Sequence, residues 1–240
     1  MEWRDDALVL GNRAQGENHS LLTVFTKTHG RVAGLVYGGQ GRSKLPVLQI
    51  GNGLEVRWQG KGPDALGHFS VDLIAPRAAS VFSDPQALLA MGVTAELLLH
   101  LLPEGEAVPG LFPATEVLFT TFAERDIWPV VLATWEVGLL ASLGGGLTLD
   151  RCVATGQLLE DGADLTFVSP KSGGAVTYDA GLPYKDKLFS LPPFLIGRGD
   201  PMQQDVKAAL ELTGHFIAER LLAPVGRGMP EGRVRLLARL

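Results

Sequence analysis

Three strand-forming runs crowd into the first forty residues, and this leaves the chain little choice of architecture. Residues 7–10 are uninterruptedly apolar, residues 21–25 are β-branched and aromatic, and residues 32–37 are bounded by glycines. The connections carry turn chemistry, Gly16-Glu17-Asn18 and then Thr28-His29-Gly30, the second short enough for a hairpin. Residues 54–58 and 68–74 read as two further strands. Five short strands in roughly eighty residues, with no helical run between them to cover a parallel sheet, predict a small closed barrel.

Beyond residues 75–83 the apolar period changes from two to about 3.6, which places a domain boundary there and predicts a helical second domain. Asp84-Pro85 sets a capping carboxylate before proline at the first helical position. Leu88, Leu89, Met91, Leu97, Leu98 and Leu101 then supply an apolar stripe that ends before Pro103. A second helix is expected over 113–124, carrying Val117, Leu118, Phe119 and Phe122. A third, over 129–143, is apolar on nearly every side and therefore central; Gly144-Gly145-Gly146 stops it. Asp200-Pro201 is expected to open the last long helix, which runs to residue 222. Between the third and fourth helices, residues 149–183 form an insert with a small β-hairpin, strands 165–168 and 175–178 around Lys171-Ser172-Gly173-Gly174. The class is thus α+β: a five-stranded barrel of the OB-fold kind over 1–80, then an all-α domain over 81–240 with a hairpin insert.

Composition narrows the chemistry. A single cysteine, Cys152, rules out an internal disulfide framework. No apolar run approaches the roughly eighteen residues of a spanning helix, and the acidic start, Met1-Glu2-Trp3-Arg4-Asp5-Asp6, is unlike a secretory signal. A cytoplasmic protein, associated with the nucleoid and not with membranes, is the expectation. Net charge is −5, which at face value argues against a nucleic-acid binder. The excess is uneven: residues 1–80 hold nine Lys/Arg against seven Asp/Glu, residues 81–240 twelve against nineteen. Only the barrel offers surplus cations.

Catalytic signatures are missing. Gly38-Gly39-Gln40-Gly41-Arg42-Ser43-Lys44 lacks the order of a phosphate loop, and Leu45-Pro46 cannot open the helix such a loop requires. The five histidines show no metal spacing, and there is no nucleophile elbow. A non-enzyme without cofactor is expected. Binding of single strands on a barrel needs cations along the phosphates and rings for the bases. Arg13, Lys27, Arg31, Arg42, Lys44, Arg57 and Lys61 are the candidate cations, with Arg42 and Lys44 foremost because their glycine-rich context favours exposure. Alternation puts Trp58 with Val56 on the face opposite Arg57, in the core. Phe25 is likewise expected in the core, and Tyr37 stands open between core filling and stacking. The rival reading is a non-catalytic scaffold that binds only proteins and has no DNA binding of its own.

Ala7-Leu8-Val9-Leu10, Gly16-Glu17, Leu21 to Thr26 and Gly30-Arg31-Val32 resemble the opening of the bacterial RecO recombination-repair family. Leu149-Asp150-Arg151-Cys152 through Val168-Ser169-Pro170-Lys171-Ser172-Gly173-Gly174 is similar to that family's central hairpin, and Leu212-Thr213-Gly214-His215-Phe216 to its last helix. The resemblance spans nearly the whole chain and rests on order and spacing. It implies a recombination mediator that binds single- and double-stranded DNA, anneals complementary strands and, with the partner RecR, helps load RecA on SSB-coated DNA.

Two departures accompany the resemblance. Members of the family often carry a four-cysteine zinc site flanking the hairpin; the matching positions here are Cys152, Thr155, Thr177 and Ala180, so three of four ligands are missing and no metal is expected. The family also docks the acidic, Phe-ended tail of SSB on its helical domain, where a basic residue often precedes an aromatic-Glu pair. This chain has Thr134-Trp135-Glu136, leaving Arg125 and Arg151 beside Trp135 as the candidate tail contacts.

Overall fold

The first strand, β1, extends far past its apolar centre in both directions, over Glu2–Gln15. It can do so because it pairs on both sides, with β2 (His19–Thr26) and with β4 (Gly53–Gln59), and a bulge between Val9 and Gly11 bends it from one partner to the other. With β3 (Gly30–Val36) and β5 (Gly67–Ala75) the strands close in the order β1-β2-β3-β5-β4. Every pairing is antiparallel except the short parallel one that seals the barrel, Gly34 with Gly67 and Leu35 with His68. The computed structural model describes residues 1–62 and 66–240, in two compact units, Met1–Trp128 and Pro129–Leu240.

Alternation sorts the first unit's core. Ala7, Val9, Leu22, Val24, Val56, Trp58 and Phe69 fill the barrel. Leu8 and Leu10 fall on the opposite face and are equally buried, which is why four consecutive residues lack solvent contact. Phe25 leaves the barrel interior too and meets Phe112 edge-on at 5.3 Å. The parallel seal tolerates no side chain: a Cβ on Gly67 would stand 2.3 Å from the Trp58 ring.

After the short α1 (Arg77–Ser80), Asp84 caps α2 (Pro85–Leu101) as expected, its carboxylate accepting from the backbone N of Gln86 and Ala87 at 3.0 and 3.2 Å. The buried stripe is shifted from the expected one. Ala87, Ala90, Met91, Val93, Thr94, Leu97 and Leu98 are buried whereas Leu88 is exposed; small residues let the helix approach β1 closely. Gly51, at φ +91°, lies under Met91, where a Cβ would sit 2.1 Å from the sulfur. The next helix, α3 (Leu111–Thr121), starts two residues before the expected position and leaves Val117 outside.

The second unit is organised around α4 (Trp128–Ser142), whose first residue still belongs to the first unit. The insert is more sheet than the expected hairpin. β6 (Thr148–Cys152), β7 (Leu165–Val168) and β8 (Gly174–Thr177) precede the one-turn α5 (Tyr178–Gly181), and β9 (Phe189–Ser190) completes a four-stranded sheet ordered β6-β8-β7-β9. The last long helix, α6 (Gln203–Phe216), opens three residues after Asp200. Asp205 takes the capping role from within, accepting from the Met202 N–H at 3.1 Å. The helix then widens into a π turn over Ile217–Leu222. That turn carries Arg220 onto three carbonyls, Gly145 and Gly146 after α4 and Ser172 in the hairpin turn. A final helix, α7 (Glu231–Leu237), brings Arg233 into the core against Glu136. Among the described residues no helix is long and apolar enough to cross a membrane.

Candidate nucleic-acid interface

At one end of the barrel, β2 begins, β3 ends and β5 begins, so three rings distant in sequence become neighbours. Tyr37, just past β3, is 55% exposed. It stands edge-to-face with His19 at 5.2 Å and tilted against His68 at 5.5 Å. His68 is held in turn by Gln59 Oε1, 2.9 Å from its Nε2. Tyr37, His68, Gln59, Lys61, Leu35 and Leu66 line a depression of about 570 Å³.

The glycine-rich segment that follows Tyr37 is folded onto this end. Backbone bonds from Lys44 and Leu45 to Gly41, and from Leu48 to Lys44, wind it into turns, and Leu48 is buried in the barrel core. Lys44 donates from Nζ to the Tyr37 carbonyl at 2.7 Å, fixing an ammonium beside the rings, while Arg42 is exposed in the same segment. Arg13 is exposed on β1 in the register row of Leu21 and Leu35, one row from Ser20 and Val36. Arg13, Tyr37, Arg42 and Lys44 therefore share an end of the barrel.

Lys27 and Arg31 do not join them, and Arg57 faces an acid. Lys27 and Arg31 bracket the β2–β3 turn, five rows further along the hairpin, or roughly 17 Å. Arg31 is committed to the fold: Nε donates to the Leu102 carbonyl at 3.1 Å and the guanidinium lies 3.8 Å from Glu104. Lys27 is exposed, but its neighbourhood is acidic. The Asp5 carboxylate accepts from Thr28 N and Oγ1 at 2.8 and 2.7 Å and lies 3.1 Å from His29 Nδ1. Burial pushes the Asp5 carboxyl up, but the Thr28, His29 and Asp6 hydrogen bonds outweigh it and hold it below the usual range. Arg57 lies mid-strand on β4, 3.7 Å from Glu2. Trp58 fills the barrel core, as alternation required, whereas Phe25 is buried outside the barrel interior against Phe112. Nothing local in the sequence links positions 19, 37 and 68; the β2–β3 pairing brings His19 to Tyr37 and the parallel β3–β5 seal brings His68.

In the second unit, three of the four residues matched to the zinc positions, Cys152, Thr155 and Thr177, come together without forming a metal site. Cys152 is wholly buried; its sulfur accepts from Thr177 N at 3.3 Å and lies 3.6 Å from Thr177 Oγ1. Burial raises the thiol, yet hydrogen bonds from Thr155 and Thr177 prevail and bring it down to about 6. One thiolate, two hydroxyls and the methyl of Ala180 do not make a zinc set, and among the described residues no group of three His, Cys, Asp or Glu converges on a common point. Trp135 is 4% exposed in the core, Arg151 is exposed and 3.3 Å from its neighbour Asp150, and Arg125, in the first unit, donates to the N-cap carboxylate of Asp84 at 3.0 Å.

The first unit thus holds a barrel of the OB-fold kind with exposed rings and cations at one end. The chain belongs to the recombination protein O family: the model of that family's N-terminal region matches residues 1–77 and that of its C-terminal region residues 82–227. It is 44% identical over 243 residues to a DNA repair protein RecO of Hyphomonas neptunium, covering 100% of this chain and 98% of the relative. A DNA repair protein RecO of Rhodospirillum centenum is 41% identical over 239 residues, covering 100% and 94%, and one of Caulobacter vibrioides 40% over 241 residues, covering 100% and 98%.

Proposed function

We propose that this protein is a non-catalytic recombination mediator in DNA repair. It binds single- and double-stranded DNA, anneals complementary strands and, together with RecR, helps load RecA on DNA coated by SSB. The observation that carries the reading is the placement of Tyr37, flanked by His19 and His68, beside Lys44, with Arg42 in the same loop. Rings for bases and cations for phosphates are the two requirements of sequence-tolerant strand binding. The relatives' shared designation as DNA repair proteins supports the same reading. Because the barrel's cation surplus is small, affinity is moderate and falls steeply with salt.

The SSB tail is the second partner. Arg151, exposed at the edge of the small sheet, suits its carboxylates, whereas Trp135 backs the helical wall from inside. The scaffold alternative draws on one observation, the net charge of −5. Annealing of two complementary oligonucleotides precoated with SSB separates the readings. Acceleration that weakens from low to moderate salt supports the mediator; folded protein that neither binds nor anneals DNA leaves the scaffold.

A further inference from the structure

The depression beside Tyr37 has features that phosphate binding alone does not need. Its walls are mixed: Leu35 and Leu66 are apolar, Tyr37 and His68 are rings, Gln59 brings a carboxamide and Lys61 an ammonium. Its volume, about 570 Å³, falls inside the range of about 300–1,000 Å³ typical of sites that enclose small ring-bearing ligands. Among the described residues of the rim Glu2 is the acid, and Arg57, 3.7 Å away, offsets its charge. Gln59 spends its carbonyl oxygen on His68, which leaves the amide hydrogens as donors for an acceptor in the depression. A flat, unpaired base has a π-face for Tyr37 and carbonyl or ring-nitrogen acceptors for such donors. A base inside a duplex offers neither its face nor its pairing edge without leaving the stack.

We propose that this depression takes a single unpaired nucleobase, stacked on Tyr37 and bonded at its edge by Gln59, so that the barrel distinguishes single strands from duplex by this contact. The proposal rests on the DNA-binding reading above and adds the element that selects the strand. Arg42 and Lys44 serve both kinds of DNA through phosphates; Tyr37 and Gln59 serve only the strand whose bases are free.

Fluorescence anisotropy with the full chain tests it, using an oligothymidine, an equally long oligomer of abasic residues, and a duplex of the same length. The parent binds the oligothymidine more tightly than the abasic oligomer at equal salt. Tyr37→Ala raises Kd for the oligothymidine about 5- to 150-fold, the span of one base stack, and leaves the abasic oligomer and duplex unchanged, while Tyr37→Phe keeps the parent's preference. Arg42→Ala with Lys44→Ala weakens all three probes together. Equal parental affinity for oligothymidine and abasic oligomer overturns the base site while the DNA-binding reading stands, as does a Tyr37→Ala loss that is the same for every probe. Absence of binding to all three overturns both. Because Tyr37 is exposed, its replacement leaves the fold intact, and unchanged thermal unfolding verifies this.

Discussion

Arg233 donates from Nε and Nη2 to the two carboxylate oxygens of Glu136, at 2.7 and 2.9 Å, with both side chains essentially closed to solvent. The Thr213 hydroxyl lies against the same carboxylate, and the Leu210 carbonyl takes a further Arg233 proton at 2.8 Å. One buried ion pair thus fastens α7 to α4 and α6. Burial alone lowers the guanidinium's proton affinity, but Glu136, through its charge and hydrogen bonds, raises it above the ordinary value.

Removing one partner strands the other charge. Arg233→Met or Glu136→Met alone is expected to destabilise by about 3–5 kcal/mol, whereas the two together recover most of that loss because desolvation offsets much of a buried pair's attraction. Urea unfolding of the single and double variants measures the coupling. Additive losses in the cycle would refute a coupled pair.

DNA binding should lose salt dependence in proportion to the phosphates released. On single strands each phosphate contact contributes about 0.7 to the slope of log K against log salt. Arg42→Ala with Lys44→Ala therefore lowers the slope's magnitude by about 1.4, read from anisotropy titrations across salt. Arg31→Ala changes the slope little, because that guanidinium is held by Leu102 and Glu104. A larger drop for Arg31 than for the pair would relocate the phosphate path to the other end of the barrel.

Asp5 ties the first strand to the β2–β3 turn, and its folded pKa is depressed. The sign follows: its contribution is complete above the unfolded value, about 3.9, and is lost as pH falls through the lower folded value. Asp5→Asn should therefore be less stable than the parent at pH 5–7, with the gap closing in the acid range below about pH 4. Thermal unfolding of both proteins from pH 7 to pH 2 shows whether the curves converge.

Cys152 behaves in the same sense at higher pH. Its thiol, at about 6 when folded against about 8.5 when unfolded, contributes stability that is complete above the unfolded value and is lost as pH falls through 6. Thiolate absorbance should titrate near pH 6 in the folded protein, and Cys152→Ser should fall further behind the parent from pH 6 to pH 9. Chelators leave the parent's Tm unchanged. Thr155→Cys, Thr177→Cys and Ala180→Cys together restore the two Cys-x-x-Cys pairs of a four-thiolate set. The triple variant should show the cobalt–thiolate charge-transfer band that the parent lacks.

Legibility followed the range of the forces involved. Strand positions were plain wherever alternation or turn glycines fixed them locally, and the Asp84 cap was plain because it spans three residues. The start of α6 was misplaced because Asp200-Pro201 is a good cap by itself, yet Asp205 captures the Met202 N–H first. The sheet was underestimated because β6 and β9 owe their strand character to partners, not to their own composition. The candidate interface was half visible. Arg42, Lys44 and Tyr37 declared themselves through local context, while His19, His68 and Gln59 entered only through register. Nothing within a few residues of Arg31 or Arg57 reveals Glu104 or Glu2 as a neighbour.

The seal between β3 and β5 also bears on how the chain is born. Glu2 pairs with Gln59, and Gly34 with Gly67, so the three-strand meander leaves the ribosome with both edges bare and must wait for the last strand before it can close. Such non-local pairing folds slowly, and open edges recruit other chains. A nascent chain halted before residue 67 is therefore the form most exposed to aggregation, and the vulnerability of this protein in the cell lies in its synthesis as much as in its native state.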